Sequence, residues 1–278
     1  METEGMMAQK DVRTGFIGLG SQGGAMARRM VEEGYPLTLW ARRKESLTPY
    51  NDTAATYVDT VEEMGELADH IGICVVDDVG VRDVAERLIP SMRPGSRLVI
   101  HSTIHPDTCV DIARTAVERD ILLVDAPVSG GGQGAASRTL TVMMGGTKEA
   151  IAAVRPVLET FSGLMVHLGD VGAGQLAKLV NNSLMAAHVA LGYEALAIGT
   201  AIGLDRPALT ELIKVSSGRS FGFDVAARLS APSEFAHGAK LLAKDVRLLR
   251  EVLGDREAFS LLGATSEPFL MEAIALSH

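Results

Sequence analysis

The stretch that decides the fold is Gly18-Leu19-Gly20-Ser21-Gln22-Gly23, which directly follows a short β-like run, Gly15-Phe16-Ile17. We expect a helix to open from it near Gly24. The first glycine of such a pattern allows a tight turn, the second lets backbone approach a pyrophosphate, and the third permits close helix packing. N–H groups at the helix start would hold the anion. The stretch therefore predicts a dinucleotide site, the alternative being a glycine-rich turn without a ligand.

Outward from this turn, β-like apolar runs alternate with amphipathic helical stretches from Val12 to His167. The runs occupy residues 15–17, 37–40, 71–76, 98–100, 121–124 and 140–143. Strand–helix alternation is typical of a parallel sheet with helices on both faces. The pattern predicts an α/β fold in which residues 12–168 form a Rossmann domain with a doubly wound parallel sheet.

The remaining residues, 169–278, are predicted to form an all-α C-terminal domain, because alanine- and leucine-rich segments replace the β-like runs. Gly174 to Thr200 contains no proline and reads as one largely buried helix. The overlapping stretch Leu184 to Ile202 fits a core helix better than a membrane span, since it carries His188 and Glu194. The first ten residues read as a loose tail, and they do not resemble a signal peptide.

Composition narrows the class of protein. The 278 residues are 47% hydrophobic and 22% charged, as in a globular protein rather than a disordered one. Lysine and arginine total 26 against 35 acidic residues, and the net charge of −9 argues against nucleic acid or anionic lipid as partners. The two cysteines, Cys74 and Cys109, are isolated. Buried thiols in a reducing cytosol explain them better than a disulfide, so a cytoplasmic location is expected.

The residues after the second β-like run bear on the choice of dinucleotide. An NAD site would place an acidic residue there to bind the ribose 2′-hydroxyl. Here Trp40 is followed by Ala41-Arg42-Arg43-Lys44. Consecutive cations suit a 2′-phosphate, through charge-assisted hydrogen bonds or stacking of Arg42 on adenine. The pattern favours NADP, with NAD possible, and the alternative is the solvated start of a helix.

Two further segments follow strand-like runs. Ser102 and Thr103 would either contact the nicotinamide ribose or cap the helix that follows Pro106. Residues 125–134 form a second glycine-rich turn, which is either an anion-binding nest or a flexible loop. The nearby histidines, His101 and His105, lack a third ligand at usable spacing, so no metal site is predicted.

A lysine within the long apolar helix is the candidate acid or base. Lys178 and Asn182 lie four residues apart and therefore share a helix face. Lys178 is either a surface side chain with a buried stem or an ammonium in a dry pocket. In a dry pocket, desolvation would lower its pKa toward neutrality, and Asn182 would orient a substrate hydroxyl.

Together, these segments resemble the β-hydroxyacid dehydrogenase family, which includes 3-hydroxyisobutyrate dehydrogenase and the semialdehyde reductases. The resemblance covers nearly the whole chain and is carried by four ordered motifs. These are Phe16-Ile17-Gly18-Leu19-Gly20 through Met26-Ala27, Asp125-Ala126-Pro127-Val128-Ser129-Gly130-Gly131, Gly174 through Lys178 to Asn182, and Lys244-Asp245. Arg138 departs from the family pattern, which usually has glycine there, and Val76-Asp77-Asp78 stands where a Leu-Pro pair is common.

The resemblance implies hydride transfer between NADP(H) and a small β-hydroxy acid or its semialdehyde, with Lys178 as general acid or base and Asn182 as its substrate-orienting partner. It implies that Ser129, Gly130 and Gly131 bind the substrate carboxylate. The implied cofactor contacts are Gly18, Leu19, Gly20, Ser21, Gln22, Gly23, Arg42, Arg43, Val75, Val76, Thr103 and Lys244. A homodimer or homotetramer is also implied. The alternatives are an imine reductase on the same scaffold, against which Lys178 argues, and a non-catalytic NADP-binding module.

Overall fold

The computed structural model describes residues 11–254, 256 and 260–276. The chain divides into two compact units, Met1–Lys178 and Leu179–His278. The tail predicted for the first ten residues lies outside the described part of the chain.

Among the described residues of the first unit, nine strands form one sheet in the order β3-β2-β1-β4-β5-β6-β8-β7, with β9 also paired to β8. They are β1 (Thr14–Ile17), β2 (Leu37–Trp40), β3 (Thr56–Tyr57), β4 (His70–Ile73), β5 (Arg97–Ile100), β6 (Leu122–Asp125), β7 (Val128–Ser129), β8 (Leu140–Gly145) and β9 (Ser162–Gly169). Strands β1 to β6 pair in parallel, as does β9 with β8. Strand β8 is antiparallel to β6 and β7. The predicted Rossmann sheet is confirmed, with β3, β7 and β9 added.

Helices cover both faces of this sheet. They are α1 (Ser21–Glu32), α2 (Val61–Leu67), α3 (Asp78–Leu88), α4 (Pro106–Val117), α5 (Gly131–Ala136) and α6 (Lys148–Leu158). Neighbouring residues of one strand point to opposite faces. Accordingly, Phe16 packs in one buried cluster and Ile17 in the other, and Val99 and Ile100 divide in the same way. The sheet therefore has a separate apolar core on each of its two faces.

The second unit is helical. Helix α7 (Ala173–Ala201) begins in the first unit and continues into the second, followed by α8 (Arg206–Val215), α9 (Phe221–Ala226), α10 (Ala236–Leu253) and α11 (Ser260–Ala275). Its core joins residues of α7 such as Leu179 and Val189 to Val246 and Leu270. Of the helices described, α7 alone has the length and apolar composition to cross a membrane, a property that core helices of soluble proteins share. The predicted helix and the all-α C-terminal region are confirmed. The prediction that this helix is largely buried is wrong, because apolar side chains such as Val180, Leu184 and Leu191 are exposed.

Candidate active site

The carboxyl ends of four strands lie side by side in the first unit. Ile73 pairs with both Ile17 and Ile100, and Ile100 pairs with Asp125. Ligands of open α/β sheets bind outside this edge. The loops that carry most of the predicted contacts, residues 18–23, 74–76, 101–104 and 126–131, all leave the sheet here.

The three glycines of the first turn differ in the space around them. Gly18 has a φ of 97°, and a Cβ on it would lie 2.1 Å from the carbonyl oxygen of Cys74. A Cβ on Gly23 would lie 2.1 Å from the carbonyl oxygen of Gly18. A Cβ on Gly20, in contrast, would meet no atom of the described residues within 4 Å. Packing therefore requires glycine at Gly18 and Gly23, whereas the space beside Gly20 remains open for a ligand.

Helix α1 begins at Ser21, three residues earlier than expected, because the carbonyl of Gly20 already accepts the N–H of Gly24 at 2.7 Å. Its N-cap is Gly20, which has no side chain to accept the first helical N–H groups. Leu19, Ser21 and Gln22 thus line a helix start whose first N–H groups have no side-chain cap among the described residues and can meet a pyrophosphate. The residues present fit the phosphates of a dinucleotide.

The cations after β2 differ in their surroundings. Arg42 and Arg43 are exposed, and neither side chain forms a hydrogen bond or ion pair with the residues that the structure describes. Lys44 forms an exposed ion pair with Asp59, with 3.1 Å between Nζ and Oδ1. The indole N–H of Trp40 donates to the backbone carbonyl of Asp59 at 3.2 Å. The two arginines are therefore available to an anion beside the end of β2.

The loops after β4 and β5 are joined by a hydrogen bond. The hydroxyl of Ser102, which is buried, accepts the N–H of Val75 at 2.8 Å. Val76 is 75% exposed, and Thr103 is half-buried. The N-cap of α4 is His105, whose Nδ1 accepts the N–H of Asp107 at 3.2 Å. Ser102 therefore does not cap this helix, and it fixes the loop that carries Val75 instead.

His101 is a structural residue. It is 3% exposed, its ring stacks on Phe16 at 5.9 Å between centroids, and its Nδ1 lies 2.8 Å from the carbonyl oxygen of Ala126. Burial lowers its pKa to about 4. The ring is therefore neutral near pH 7, and its Nδ1–H donates to Ala126. No cluster of three or more metal-ligating side chains occurs among the described residues.

Asp125, at the end of β6, contacts the start of α7. Its Oδ1 accepts the N–H of Gly172 at 2.7 Å, and its Oδ2 accepts the N–H of Gln175 at 2.8 Å. Burial raises its pKa to about 6, although these backbone donors oppose the rise. We identified Asp125 only as part of a motif, and its contacts with residues about 50 positions away left no local signal.

The second glycine-rich turn lies close to the first. Gly130 and Gly131 have φ values of 128° and 66°, and α5 begins at Gly131. Both are exposed, and Ser129 is half-buried. A Cβ on Gly132 would lie 2.5 Å from the carbonyl oxygen of Ser21. The predicted substrate turn therefore packs directly against the predicted cofactor turn.

Lys178 is buried, with 8% of its surface exposed, in the second turn of α7. This low exposure of the whole residue favours the dry pocket over a surface lysine. It follows Gln175 by three residues, so the two side chains lie on adjacent turns of one helix face.

In the second unit, Asn182 is held by hydrogen bonds. Its Nδ2 donates to Oδ2 of Asp245 at 2.5 Å, and its Oδ1 accepts from Nδ2 of Asn181 at 3.1 Å. The Nζ of Lys244 lies 3.0 Å from Oδ1 of Asp245, a close ion pair without hydrogen-bond geometry. Asp245 is 4% exposed. From the sequence we assigned a role to Lys244 and none to Asp245. The adjacent carboxylate neutralises the charge of Lys244, because a largely buried cation needs a partner of opposite charge.

Family models match most of the chain. Residues 13–169 match the NAD binding domain of 6-phosphogluconate dehydrogenase, and residues 172–276 match the NAD-binding region of NADP-dependent 3-hydroxyisobutyrate dehydrogenase. Mitochondrial 3-hydroxyisobutyrate dehydrogenase of Mus musculus is 31% identical over 262 residues, which cover 90% of this chain and 78% of the relative. The NAD-dependent L-serine dehydrogenase of Pseudomonas aeruginosa is 34% identical over 255 residues, covering 85% and 83%.

A solved structure, Psf3 in complex with NADP+ and 2-OPP, has a TM-score of 0.80 and 25% identity and covers 94% of this chain and 92% of its own. Fold and relatives together define an NAD(P)-dependent oxidoreductase that acts on CH–OH groups. The chain belongs to the β-hydroxyacid dehydrogenase family.

Proposed function

We propose that this enzyme transfers hydride reversibly between NADP(H) and a small β-hydroxy acid or its semialdehyde, with Lys178 as general acid/base. The burial of Lys178 is the observation that carries the proposal, because a lysine kept from water serves proton transfer better than a solvated one. The names of two relatives, a 3-hydroxyisobutyrate dehydrogenase and an L-serine dehydrogenase, support a short hydroxy acid as the substrate class.

Each residue group has one proposed task. Ser129, Gly130 and Gly131 bind the substrate carboxylate, and Asn182 orients the reacting hydroxyl. During oxidation Lys178 accepts the hydroxyl proton, and during reduction it returns a proton to the carbonyl oxygen. Bound nicotinamide supplies the hydride chemistry, while the protein supplies placement.

The cofactor contacts are proposed as follows. The turn from Gly18 to Gly23 holds the pyrophosphate. Further contacts to the dinucleotide come from Val75, Val76 and Thr103. Lys244, a residue of the second unit, also contacts the dinucleotide. Arg42 and Arg43 bind the 2′-phosphate of NADP, which their exposure and lack of partners among the described residues support. One relative is named as NAD-dependent and one similar structure contains NADP+, so NAD remains the competing cofactor.

We propose that residues 12–168 bind the nucleotide and that residues 169–278 supply substrate and oligomer contacts. Exposed apolar residues recur along α7 at Val180, Leu184, Leu191 and Ile198. A second copy of the chain would cover this stripe, which supports a homodimer or homotetramer, and light scattering after gel filtration measures the mass. A cytoplasmic location agrees with the two free thiols of Cys74 and Cys109.

The test of function is a spectrophotometric panel. NADPH oxidation is followed with C3 to C5 semialdehydes and cyclic imines, and NADP+ reduction with 3-hydroxyisobutyrate and L-serine. Turnover of the hydroxy acids supports the proposal, turnover of imines alone supports an imine reductase, and NADPH binding without any turnover supports a non-catalytic module.

The role of Lys178 is tested with Lys178→Ala, which should lower kcat about a hundredfold or more because general acid–base catalysis contributes that much. Its NADPH affinity should stay within about threefold, a change worth well under 1.4 kcal/mol. Lys148→Ala, at an exposed lysine that begins α6, is the control and should keep full activity. Near-normal turnover of Lys178→Ala contradicts the proposed function.

Cofactor preference is tested with Arg42→Asp, which should lower the ratio of kcat/KM for NADPH to that for NADH about tenfold or more, a loss typical of one charge-assisted contact. Arg114→Asp makes the same change of charge at an exposed position of α4 and should leave the ratio unchanged. A parent enzyme that uses NADH as efficiently as NADPH contradicts a phosphate role for Arg42 and Arg43.

A further inference from the structure

The side chain of Gln175 fastens α7 to the loop that follows β5. It is fully buried. Its Oε1 accepts the N–H of Ile104 at 3.1 Å, and its Nε2 donates to the carbonyl oxygen of Ser102 at 2.8 Å. One amide group therefore bonds the backbone on both sides of Thr103.

The backbone of Gln175 fastens the same turn of α7 to the end of β6. Its N–H donates to Oδ2 of Asp125 at 2.8 Å, while Oδ1 accepts the N–H of Gly172 at 2.7 Å. The helix also lies too close to the sheet for a side chain at Gly174, where a Cβ would be 2.4 Å from the carbonyl oxygen of Met143. The start of α7 is thus held against two strands by charged hydrogen bonds and by close packing.

These contacts extend to the loop after β4, because the hydroxyl of Ser102 accepts the N–H of Val75. A continuous set of hydrogen bonds therefore runs from the first turn of α7 through residues 102–104 to Val75. Thr103 and Val75 are proposed cofactor contacts, and Lys178 follows Gln175 by one helical turn. Gln175 stands between the proposed proton donor and the loops proposed to hold the nicotinamide half of the cofactor.

We propose that Gln175 is a positioning residue, which sets the distance between Lys178 and the nicotinamide by locking α7 to the loop at residues 102–104. This inference rests on the proposed function of Lys178. A displacement of about 1 Å between reacting groups lowers rates by orders of magnitude. Loss of the lock should therefore lower kcat while the phosphates of the dinucleotide stay bound at the glycine turn.

The test compares Gln175→Met, which keeps the length of the side chain and removes both hydrogen bonds, with the parent enzyme. We expect kcat to fall about tenfold or more, and the Kd of NADPH, measured by its fluorescence, to change less than about threefold. Unchanged kcat in Gln175→Met overturns the inference, as does a parallel loss of NADPH affinity.

A matched control separates positioning from general destabilisation. Thr160 is also buried, and its hydroxyl donates to the carbonyl oxygen of Val157 at 2.7 Å, away from α7. Thr160→Val should lower the thermal midpoint and keep the parent kcat. If Thr160→Val lowers kcat as much as Gln175→Met at equal loss of midpoint, the effect of Gln175 is structural and the inference is wrong.

A double-variant cycle shows whether Gln175 acts through Lys178. In the Lys178→Ala background, Gln175→Met should lower the residual turnover less than about threefold, because the group it positions is gone. Full multiplication of the two effects overturns the inference. If Lys178→Ala keeps its turnover, the proposed function of Lys178 is wrong. If Lys178→Ala loses turnover and the two effects multiply, only the positioning role of Gln175 is wrong.

Hydrogen exchange supplies a readout that needs no turnover. The amide of Ile104 should exchange about tenfold faster or more in Gln175→Met than in the parent, since its acceptor has been removed. Equal exchange at Ile104 in the two proteins overturns the lock itself.

Discussion

The buried His70 makes the first unit sensitive to acid. This residue, at the start of β4, is 1% exposed, and its Nδ1 has no hydrogen-bond partner among the described residues. Burial, assisted by His101 and Arg97, lowers its pKa from 6.5 to about 3. Because the folded pKa lies below the unfolded one, the stability from this group is complete above pH 6.5 and is lost as the pH falls toward 3.

The magnitude follows from the width of that interval. Each pKa unit is worth about 1.4 kcal/mol, so His70 costs the fold about 2 kcal/mol between pH 7 and pH 5. His101, whose pKa is about 4, costs about 2 kcal/mol more over the same interval. Asp125 acts in the opposite sense, since its raised pKa of about 6 returns about 1 kcal/mol at pH 5. Together these three groups cost the parent about 2–3 kcal/mol.

The variant His70→Leu removes one of these groups without opening a cavity. We expect it to be as stable as the parent at pH 7, or more stable, because the orphaned ring nitrogen is gone. Between pH 7 and pH 5 it should lose about 2 kcal/mol less than the parent. Urea unfolding at both pH values measures this through the fluorescence of Trp40, the single tryptophan of the chain, which lies on β2 of the same unit.

His237→Leu, at an exposed position of α10 in the second unit, is the control and should leave the pH dependence of the first unit unchanged. Equal losses for His70→Leu and the parent on going to pH 5 would refute the reasoning, since the imidazole would then not be buried in its neutral form.

Two further predictions concern backbone conformation. Gly18→Ala should destabilise the protein by more than the roughly 1–2 kcal/mol that a left-handed residue costs, because its Cβ also meets a carbonyl oxygen. Gly20→Ala should keep the thermal midpoint and weaken NADPH binding about tenfold. Equal thermal midpoints for the two variants would contradict this. Arg138 adopts a φ of 59° and donates from Nε to the carbonyl of Thr160 at 3.2 Å. Urea unfolding should therefore show Arg138→Ala to be less stable than Arg138→Gly by about 1 kcal/mol, since only glycine relieves the left-handed strain, and the reverse order would contradict it.

The strands that the sequence predicted correctly are buried apolar runs, and those it missed lack that signal. Strands β3 and β7 have two residues each, too few for a period. Strand β9 is largely exposed, with Leu164, Val166 and Leu168 all reaching solvent, so it did not resemble the buried runs. Burial decided which strands could be recognised.

The residues of the candidate site also differ in whether the sequence alone could reveal them. Glycine turns, the cations after β2 and Lys178 are visible because each has a local chemical pattern. The contacts of Gln175 with Ile104 and Ser102 span 71 and 73 residues, so only the folded chain reveals them. Asp125 was recognisable only as the acidic first residue of a motif, and its contacts with α7 were not.

The carboxylate of Asp125 also governs how this protein can be dissected. The sequence changes near Gly169 from β-like runs to alanine- and leucine-rich segments, which suggests truncating the chain there to isolate the nucleotide-binding part. Such a fragment would lose the N–H donors of Gly172 and Gln175, and a buried acid stripped of its donors destabilises a fold by several kcal/mol. A boundary placed after Lys178, where the first compact unit ends, keeps both donors in the piece that needs them.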